Sequence, residues 1–333
     1  MSIPTIAFFN NKGGVGKTSM VYHLAWMFSD LGLPVLAADL DPQSNLTAAF
    51  LDEDRLEQVM PGNGQSLTIY GAIDPLKRGT GDVGEPHVES VGERLGLVLG
   101  DMALSTFEDQ LSEVWPKCMD RDERAFRVTS AFWRILQSGA RKHEASVILI
   151  DLGPNLGAIN RSALIASDFV VIPLGPDLFS LQGLRNLGPA LRRWREEWTE
   201  RLDKKPAALD IDLPKGLIVP LGYMVLRHSI RLDRPVKAFE RWIAKIPATY
   251  ADAVIQKPLM KPLDVDADPQ CIAKLKDYRS LMPLAQEARK PMFNLKPADG
   301  ALGSHTYAVT DAYKVFKLVA QTIAERAGLK GLK

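Results

Sequence analysis

The sequence predicts an α/β fold in which a mostly parallel, twisted β-sheet is covered by helices on both faces. Short apolar runs alternate with amphipathic stretches, a pattern typical of such sheets. The predicted strands are residues 4–9, 34–39, 95–99, 146–151, 169–173 and 216–225. A glycine-rich loop and two acidic residues fall at the carboxyl ends of three of these strands, where open α/β sheets bind their ligands.

The glycine-rich loop, residues 11–18, lies between a short buried strand and a predicted helix. Apolar residues after the loop recur at helical spacing, at Val21, Leu24, Ala25, Phe28 and Leu31. Strand, glycine loop and helix together are the setting of a phosphate-binding loop. The sequence therefore predicts that the N-terminus of this helix binds a nucleotide.

Each residue type in the loop has a role in phosphate binding. Gly13, Gly14 and Gly16 allow backbone N–H groups to close around a polyphosphate, and the helix N-terminus adds partial positive charge. Lys17 is expected to bind the β- and γ-phosphates, and the Thr18 hydroxyl is expected to bind Mg²⁺. The predicted nucleotide-binding residues are Gly13, Gly14, Val15, Gly16, Lys17, Thr18 and Ser19.

Residues 12–18 resemble the deviant Walker A loop of the ParA/MinD family, because an additional lysine, Lys12, precedes the glycines. Residues 39–45 are similar to the ParA switch I segment, and residues 147–151 have the form of a Walker B strand that ends in an acid. Residues 152–157 resemble switch II, although Gly153 and Asn155 depart from its usual residues. The resemblance covers about residues 3–230 in order and implies a P-loop NTPase fold.

This resemblance implies an ATPase that uses ATP/ADP and Mg²⁺. The expected catalytic residues are Lys12, Lys17 and Asp41. Asp41 would orient the attacking water, and Lys12 would reach the phosphates bound by a second subunit, so that ATP holds a homodimer together. The expected metal site consists of Thr18, Asp39 and Asp151, the last two through water. Hydrolysis would loosen the dimer, which makes the protein a switch.

Basic residues on two later segments are candidates for binding DNA without sequence preference, as the resemblance implies. The candidates are Arg185, Arg192, Arg193, Arg227 and Arg231. Such contacts carry affinity but not specificity, and salt weakens them. A net charge of +1 excludes a strongly basic protein but leaves room for a local basic patch.

The resemblance also implies a partner: an activating adaptor, ParB-like or linked to a cargo. The cargo would be a plasmid, a chromosome or a protein assembly. Three alternatives remain: a MinD-like membrane or regulatory switch, a metabolic P-loop enzyme, and a nucleotide-gated adaptor with slow or no turnover. Residues 325–333 contain two leucines and no aromatic residue, so we expect no membrane contact.

Composition and length are those of an ordinary globular protein, with 46% hydrophobic and 24% charged residues among 333. The two cysteines, Cys118 and Cys271, lie far apart, which argues against a disulfide framework, a zinc site or an iron–sulfur cluster. No signal peptide or long apolar run is evident, so we expect a cytoplasmic protein, associated with the nucleoid if it binds DNA. We expect residues 1–333 to form one ATPase domain. A surface excursion near 52–92 would carry one short helix, and a proline-rich region near 247–300 has no assigned fold.

Overall fold

The computed structural model describes residues 2–60, 66–226, 236–278, 281–301 and 303–332. The strands in these ranges are β1 (Thr5–Phe8), β2 (Val35–Asp39), β3 (Glu89–Gly92), β4 (Leu95–Val98), β5 (Val147–Asp151), β6 (Phe169–Leu174), β7 (Val219–Leu226) and β8 (Cys271–Leu275). They form one sheet in the order β3-β4-β2-β5-β1-β6-β7-β8. Every neighbouring pair is parallel except β3 and β4. The predicted fold class is thereby confirmed.

Helices lie between consecutive strands, except between β3 and β4, which a short turn joins. In the described ranges they are α1 (Lys17–Asp30), α2 (Asn45–Phe50), α3 (Glu53–Val59), α4 (Ile69–Arg78), α5 (Glu108–Lys117), α6 (Glu123–Thr129), α7 (Ala131–Lys142), α8 (Ala158–Ile165), α9 (Leu178–Leu202), α10 (Val236–Ile243), α11 (Ile246–Tyr250), α12 (Leu281–Ala288) and α13 (Ser304–Ala327). A 3₁₀ segment, Met102–Phe107, leads directly into α5.

Successive side chains of each strand point to opposite faces of the sheet. Helices cover both faces, so both sets of side chains are buried. In β1, Ile6 and Phe8 belong to one apolar cluster, whereas Ala7 belongs to the other. The first cluster includes Phe28 of α1 and Phe316 of α13. The second includes buried side chains of α7, α8 and α9. The predicted strand at residues 4–9 is therefore the centre of a three-layer core.

The structure corrects one strand boundary and adds two strands. β7 begins at Val219 rather than near residue 216, because Gly216 and Ile218 adopt left-handed backbone angles, with φ of 64° and 45°. β3 and β8 were not predicted; they are the two edge strands of the sheet, and neither is a continuous apolar run.

The two segments expected to be irregular contain more structure than predicted. Residues 52–92 carry α3, α4 and β3 rather than one short helix. α4 buries Ile69, Ile73 and Leu76 in the second cluster, so this part of the segment belongs to the core and is not a surface excursion. The proline-rich region, near 247–300, contributes β8 and α12 to the body of the protein.

Candidate functional site

The phosphate-binding loop leaves β1 and enters α1 at the carboxyl edge of the sheet. Gly14 and Gly16 have φ of 68° and 73°, angles that a residue with a Cβ adopts only under strain. α1 has no side-chain cap and no acidic residue in its first turn. Its first N–H groups are therefore free to bind an anion such as phosphate.

Asn10, which the sequence analysis did not single out, fixes the start of this loop. Its side-chain amide donates to the carbonyl of Pro173 at 2.7 Å, and its Oδ1 accepts from the Lys12 N–H at 3.0 Å. The backbone carbonyl of Asn10 also accepts from Lys17 Nζ at 3.2 Å. Asn10 is fully buried, so it joins the loop to β6 through the interior of the protein.

Lys17 is buried beneath the loop, with 7% of its surface exposed. Its ammonium donates to the carbonyls of Asn10 and Lys12, both at 3.2 Å. Burial lowers the pKa of Lys17, while Asp151 and Asp41 raise it again. A cavity of about 680 Å³ opens above the loop; its lining includes all seven predicted nucleotide-binding residues, Gly13–Ser19, together with Asp41.

The predicted acids meet because their strands are neighbours. Asp39 ends β2 and Asp151 ends β5, and the two residues are paired in the sheet register. Asp39 Oδ2 accepts from both the N–H and the hydroxyl of Thr47, each at 2.8 Å. Its Oδ1 accepts more weakly from the Asp41 N–H at 3.3 Å. Thr47 therefore anchors Asp39, a role that the sequence did not reveal.

Among the three acids Asp39, Asp41 and Asp151, Asp151 is the one whose carboxylate is buried without hydrogen-bond partners in the part of the chain that the structure describes. It is fully buried, and among the described residues neither carboxylate oxygen has a partner at ordinary hydrogen-bond distance. Burial raises the pKa of Asp151 well above its usual range, and the neighbouring Asp39 adds to the rise. The Thr18 hydroxyl and Lys17 act in the opposite direction.

These donors fit Mg²⁺. The Thr18 hydroxyl and the carboxylates of Asp39 and Asp151 are hard oxygen ligands of the kind that Mg²⁺ prefers, often through retained waters. The unpartnered buried oxygens of Asp151 supply the negative charge that a bound cation would compensate. Thr18 lines the cavity above the loop.

The raised pKa of Asp151 predicts a pH-dependent stability. A carboxyl whose pKa is raised by folding stabilises the protein fully below its unfolded pKa of about 4, and this stability is lost as the pH rises through the folded pKa. We expect Asp151→Asn to raise the melting temperature of the nucleotide-free protein at pH 8 above that of the wild type. The gain should shrink at pH 5. Thermal melts at both pH values, with the exposed Asp54→Asn as control, measure it. A melting temperature that falls equally at both would contradict the prediction.

Asp41 follows Asp39 and lines the cavity with 7% of its surface exposed. Its Oδ1 accepts from the Gln43 N–H at 3.0 Å. A methyl group added at Gly153 would lie 3.1 Å from the same Oδ1. The departure at Gly153 therefore lets residues 152–157, the segment similar to switch II, pass close to Asp41.

Asn155, the second departure from the usual switch II residues, makes hydrogen bonds within its own segment. Asn155 Oδ1 accepts from the Gly157 N–H at 2.9 Å and from the side-chain amide of Asn160 at 3.0 Å. The same amide donates to the carbonyls of Gly153 and Asn155, at 2.9 and 2.7 Å. Asn155 and Asn160 thus hold residues 153–160 in one fixed arrangement.

Lys12, at the start of the loop, does not line the cavity above it. Its ammonium forms an ion pair with Asp177 Oδ2, at the start of α9. Asp177 also caps α9, because its Oδ1 accepts from the Ser180 N–H at 3.0 Å. Both side chains are partly exposed, at 29% and 23%. Asp177 is a functional candidate that the sequence analysis missed. An aspartate just before a helix is usually explained as a helix cap, so nothing in the sequence indicated a contact with Lys12.

The structure describes three of the five arginines that were predicted to bind DNA, and their surroundings differ. Arg185 is exposed, and Arg193 is exposed with a loose ion pair to Glu197 at 3.9 Å. Arg192 donates to the carbonyl of Ala253 at 2.6 Å, which gives it a structural role between α9 and the segment after α11. Arg227 and Arg231 lie outside the described residues.

Comparison with known proteins decides the family. Residues 3–204, more than half of the chain, match the family model described as an AAA domain. The chromosome partitioning protein ParA of Caulobacter vibrioides is 28% identical over 198 residues, which are 60% of this chain and 66% of that protein. The chain belongs to the ParA-type P-loop ATPases.

Solved structures agree with this ParA-type fold. An ATP complex of a variant of McdA from Cyanothece has a TM-score of 0.63 at 17% identity, with 99% of this chain and 98% of that chain covered. A plasmid partition protein from Borrelia burgdorferi has a TM-score of 0.55 at 16% identity, with 97% and 99% covered. At such low identity these likenesses show the fold alone.

The match to curated relatives is partial in length. The chain spans between 48% and 66% of the length of the first curated relatives that it matches. In the described part of this ParA-type chain, no helix combines the length and apolar character needed to cross a bilayer.

Proposed function

We propose that this protein is an ATPase that acts as an ATP-dependent dimerisation switch, binds DNA without sequence preference and positions a cargo. One observation carries the proposal: Lys12 and Lys17 flank a glycine loop beneath a cavity that Asp41 lines, at the sheet edge where the buried acids Asp39 and Asp151 end two paired strands. Phosphoryl transfer asks a protein mainly for positioning and charge neutralisation. This arrangement supplies both.

Within one subunit, the loop would hold the triphosphate of ATP. The N–H groups of the loop and the uncapped N-terminus of α1 donate to phosphate oxygens, and Lys17 neutralises the β- and γ-phosphates. The Thr18 hydroxyl, together with Asp39 and Asp151 through water, would hold a Mg²⁺ ion, which would supply further charge neutralisation. Asp41 accepts a hydrogen bond from the attacking water and so orients it toward the γ-phosphate.

Between subunits, Lys12 would bind the phosphates of the partner's ATP. Its ammonium must first leave Asp177, and a partly exposed ion pair is weak enough to exchange, at about 0–1 kcal/mol. Leu178 and Phe179, directly after Asp177, are 40% and 66% exposed. Exposed apolar side chains beside Lys12 support an interface at this edge of the protein.

The wider role rests on the ParA-type family. Relatives include proteins named for chromosome partitioning and for cell division. We propose that Arg185 and Arg193, exposed on α9, contact DNA phosphates. The protein would then act on the nucleoid in the cytoplasm, with an activating adaptor linking it to a plasmid, a chromosome or a protein assembly.

Phosphate release tests the enzymatic part of the proposal. We expect slow hydrolysis of ATP that requires Mg²⁺, and we expect Lys17→Ala to lose about 10²-fold or more of the rate because a buried phosphate-binding cation is removed. The exposed Lys314→Ala on α13 is the matched control and should behave as wild type. Equal rates for Lys17→Ala and wild type would refute the assignment.

A further inference from the structure

The N-terminus of α8 is capped by a residue from another helix. Glu108 begins α5, yet its carboxylate accepts from the backbone N–H groups of Ala158 and Ile159, the latter at 2.8 Å. α8 has no side-chain cap of its own and no acidic residue in its first turn. Glu108 therefore satisfies two N–H groups that would otherwise be unpaired, and its charge complements the helix dipole.

This contact depends on a glycine. A methyl group added at Gly157 would lie 2.6 Å from Glu108 Oε1, closer than non-bonded atoms approach. A second tie joins the same two helices, since the Arg161 guanidinium on α8 donates to the carbonyl of Leu111 on α5 at 3.1 Å. α5 and the beginning of α8 are thus fixed to each other.

The capped end of α8 continues directly into switch II. Asn155 and Asn160 hold residues 153–160 as one unit through four hydrogen bonds of 2.7–3.0 Å. At the far end of this unit, Gly153 packs against Asp41. Pro154 lies beside Gly13, where an added methyl group would be 3.9 Å from the proline ring. A continuous set of contacts therefore runs from Glu108 to the carboxylate assigned to the attacking water.

We propose that Glu108 is a positioning residue for ATP hydrolysis, which holds switch II against Asp41 and the phosphate loop by fixing the N-terminus of α8. The proposal rests on the function proposed above. Glu108 does not line the cavity, so it acts through switch II and not on the nucleotide. It should therefore affect turnover more than nucleotide binding.

The test compares Glu108→Gln with a neighbour. The glutamine keeps the shape, but only its carbonyl oxygen can accept, and its NH₂ group faces a second N–H donor. Asp109→Asn removes the same charge from the exposed next position of α5 and is the matched control. The measurements are kcat for ATP, Kd for ADP, the melting temperature, and hydrogen exchange of the amides at 157–165.

We expect Glu108→Gln to lower kcat about tenfold, a factor equivalent to about 1.4 kcal/mol. Its Kd for ADP should stay within about twofold of wild type, and exchange at Ala158 and Ile159 should become faster. Asp109→Asn should match wild type throughout. Glu108→Asp, whose shorter side chain cannot reach both N–H groups, should resemble Glu108→Gln.

Two results would overturn the inference. One is a Glu108→Gln variant with the kcat of Asp109→Asn. The other is a lower kcat that is accompanied by proportionally weaker ADP binding, which indicates a merely structural role, whereas a small fall in melting temperature is expected in either case from the lost cap. Failure of the proposed function looks different, because it appears in the wild type itself, either as no hydrolysis of ATP or as hydrolysis without any change in mass.

Discussion

Asp41→Ala is expected to bind ATP with nearly unchanged affinity and to lose hydrolysis by about 10²–10⁴-fold, the usual effect of removing a group that positions or activates a nucleophile. Asp41 is held by the Gln43 N–H and packs against Gly153, so its carboxylate has a fixed place at the edge of the cavity. The phosphate contacts assigned to the glycine loop and Lys17 remain in the variant, because Asp41 makes no hydrogen bond to either.

Single-turnover phosphate release and equilibrium ATP binding measure this result together. Asp41→Asn serves as an isosteric comparison, since its carbonyl oxygen can still accept from Gln43 but lacks the negative charge. We expect it to hydrolyse ATP almost as slowly as Asp41→Ala, while Asp54→Ala, at an exposed position of α3, behaves as wild type. Full turnover by Asp41→Ala would remove Asp41 from the mechanism.

Lys12→Ala is expected to abolish ATP-dependent dimerisation while leaving ATP binding to the single subunit in place. In the structure the Lys12 ammonium is paired with Asp177 and not with its own loop, so its absence costs the subunit only a partly exposed ion pair. The main effect of the variant should be the loss of the proposed contact between Lys12 and the phosphates bound by the partner subunit. By analogy with an arginine finger, we expect the loss of this contact to slow hydrolysis by about 10²-fold or more.

Asp177→Asn should have the opposite, smaller effect. Asparagine still caps α9 through its side-chain oxygen, but it no longer holds the Lys12 ammonium by charge. We expect ATP-dependent dimerisation at about two- to fivefold lower protein concentration, because each of the two subunits would otherwise break one ion pair of about 0.2–0.5 kcal/mol. Concentration series of both variants in ATP measure the two effects. A Lys12→Ala variant that dimerises like wild type would contradict the assignment.

The sequence predicted those parts of the site that depend on local order. The glycine loop, the strand ends at Asp39 and Asp151, and the helix after the loop could be read because each signal spans fewer than about ten residues. Parallel strands then bring their carboxyl ends to one edge, so the meeting of these residues also followed from the pattern. β3 and β8 escaped prediction because edge strands need not be continuously apolar.

Contacts between distant segments could not be predicted. Lys12 and Asp177 are 165 positions apart, and Glu108 lies 50 positions from Ala158. In the sequence, Asp177 is a typical helix cap and Glu108 is a typical first-turn acid, since both residue types are common at such places without any partner. Arg192 was predicted to bind DNA, but the structure gives it a structural role. A basic residue on a helix gives no sign in the sequence that its side chain donates to the carbonyl of Ala253.

The most direct test of the proposed switch is the mass of the wild-type protein in solution, measured by light scattering with Mg²⁺ and either ATP or ADP. We predict a dimer with ATP, a monomer with ADP, a lasting dimer for Asp41→Ala and a monomer for Lys12→Ala. A second run with random-sequence DNA should show binding by the ATP dimer only, weakened by salt. ATP turnover by a species whose mass never changes, with or without DNA, would contradict the switch and favour a metabolic P-loop enzyme.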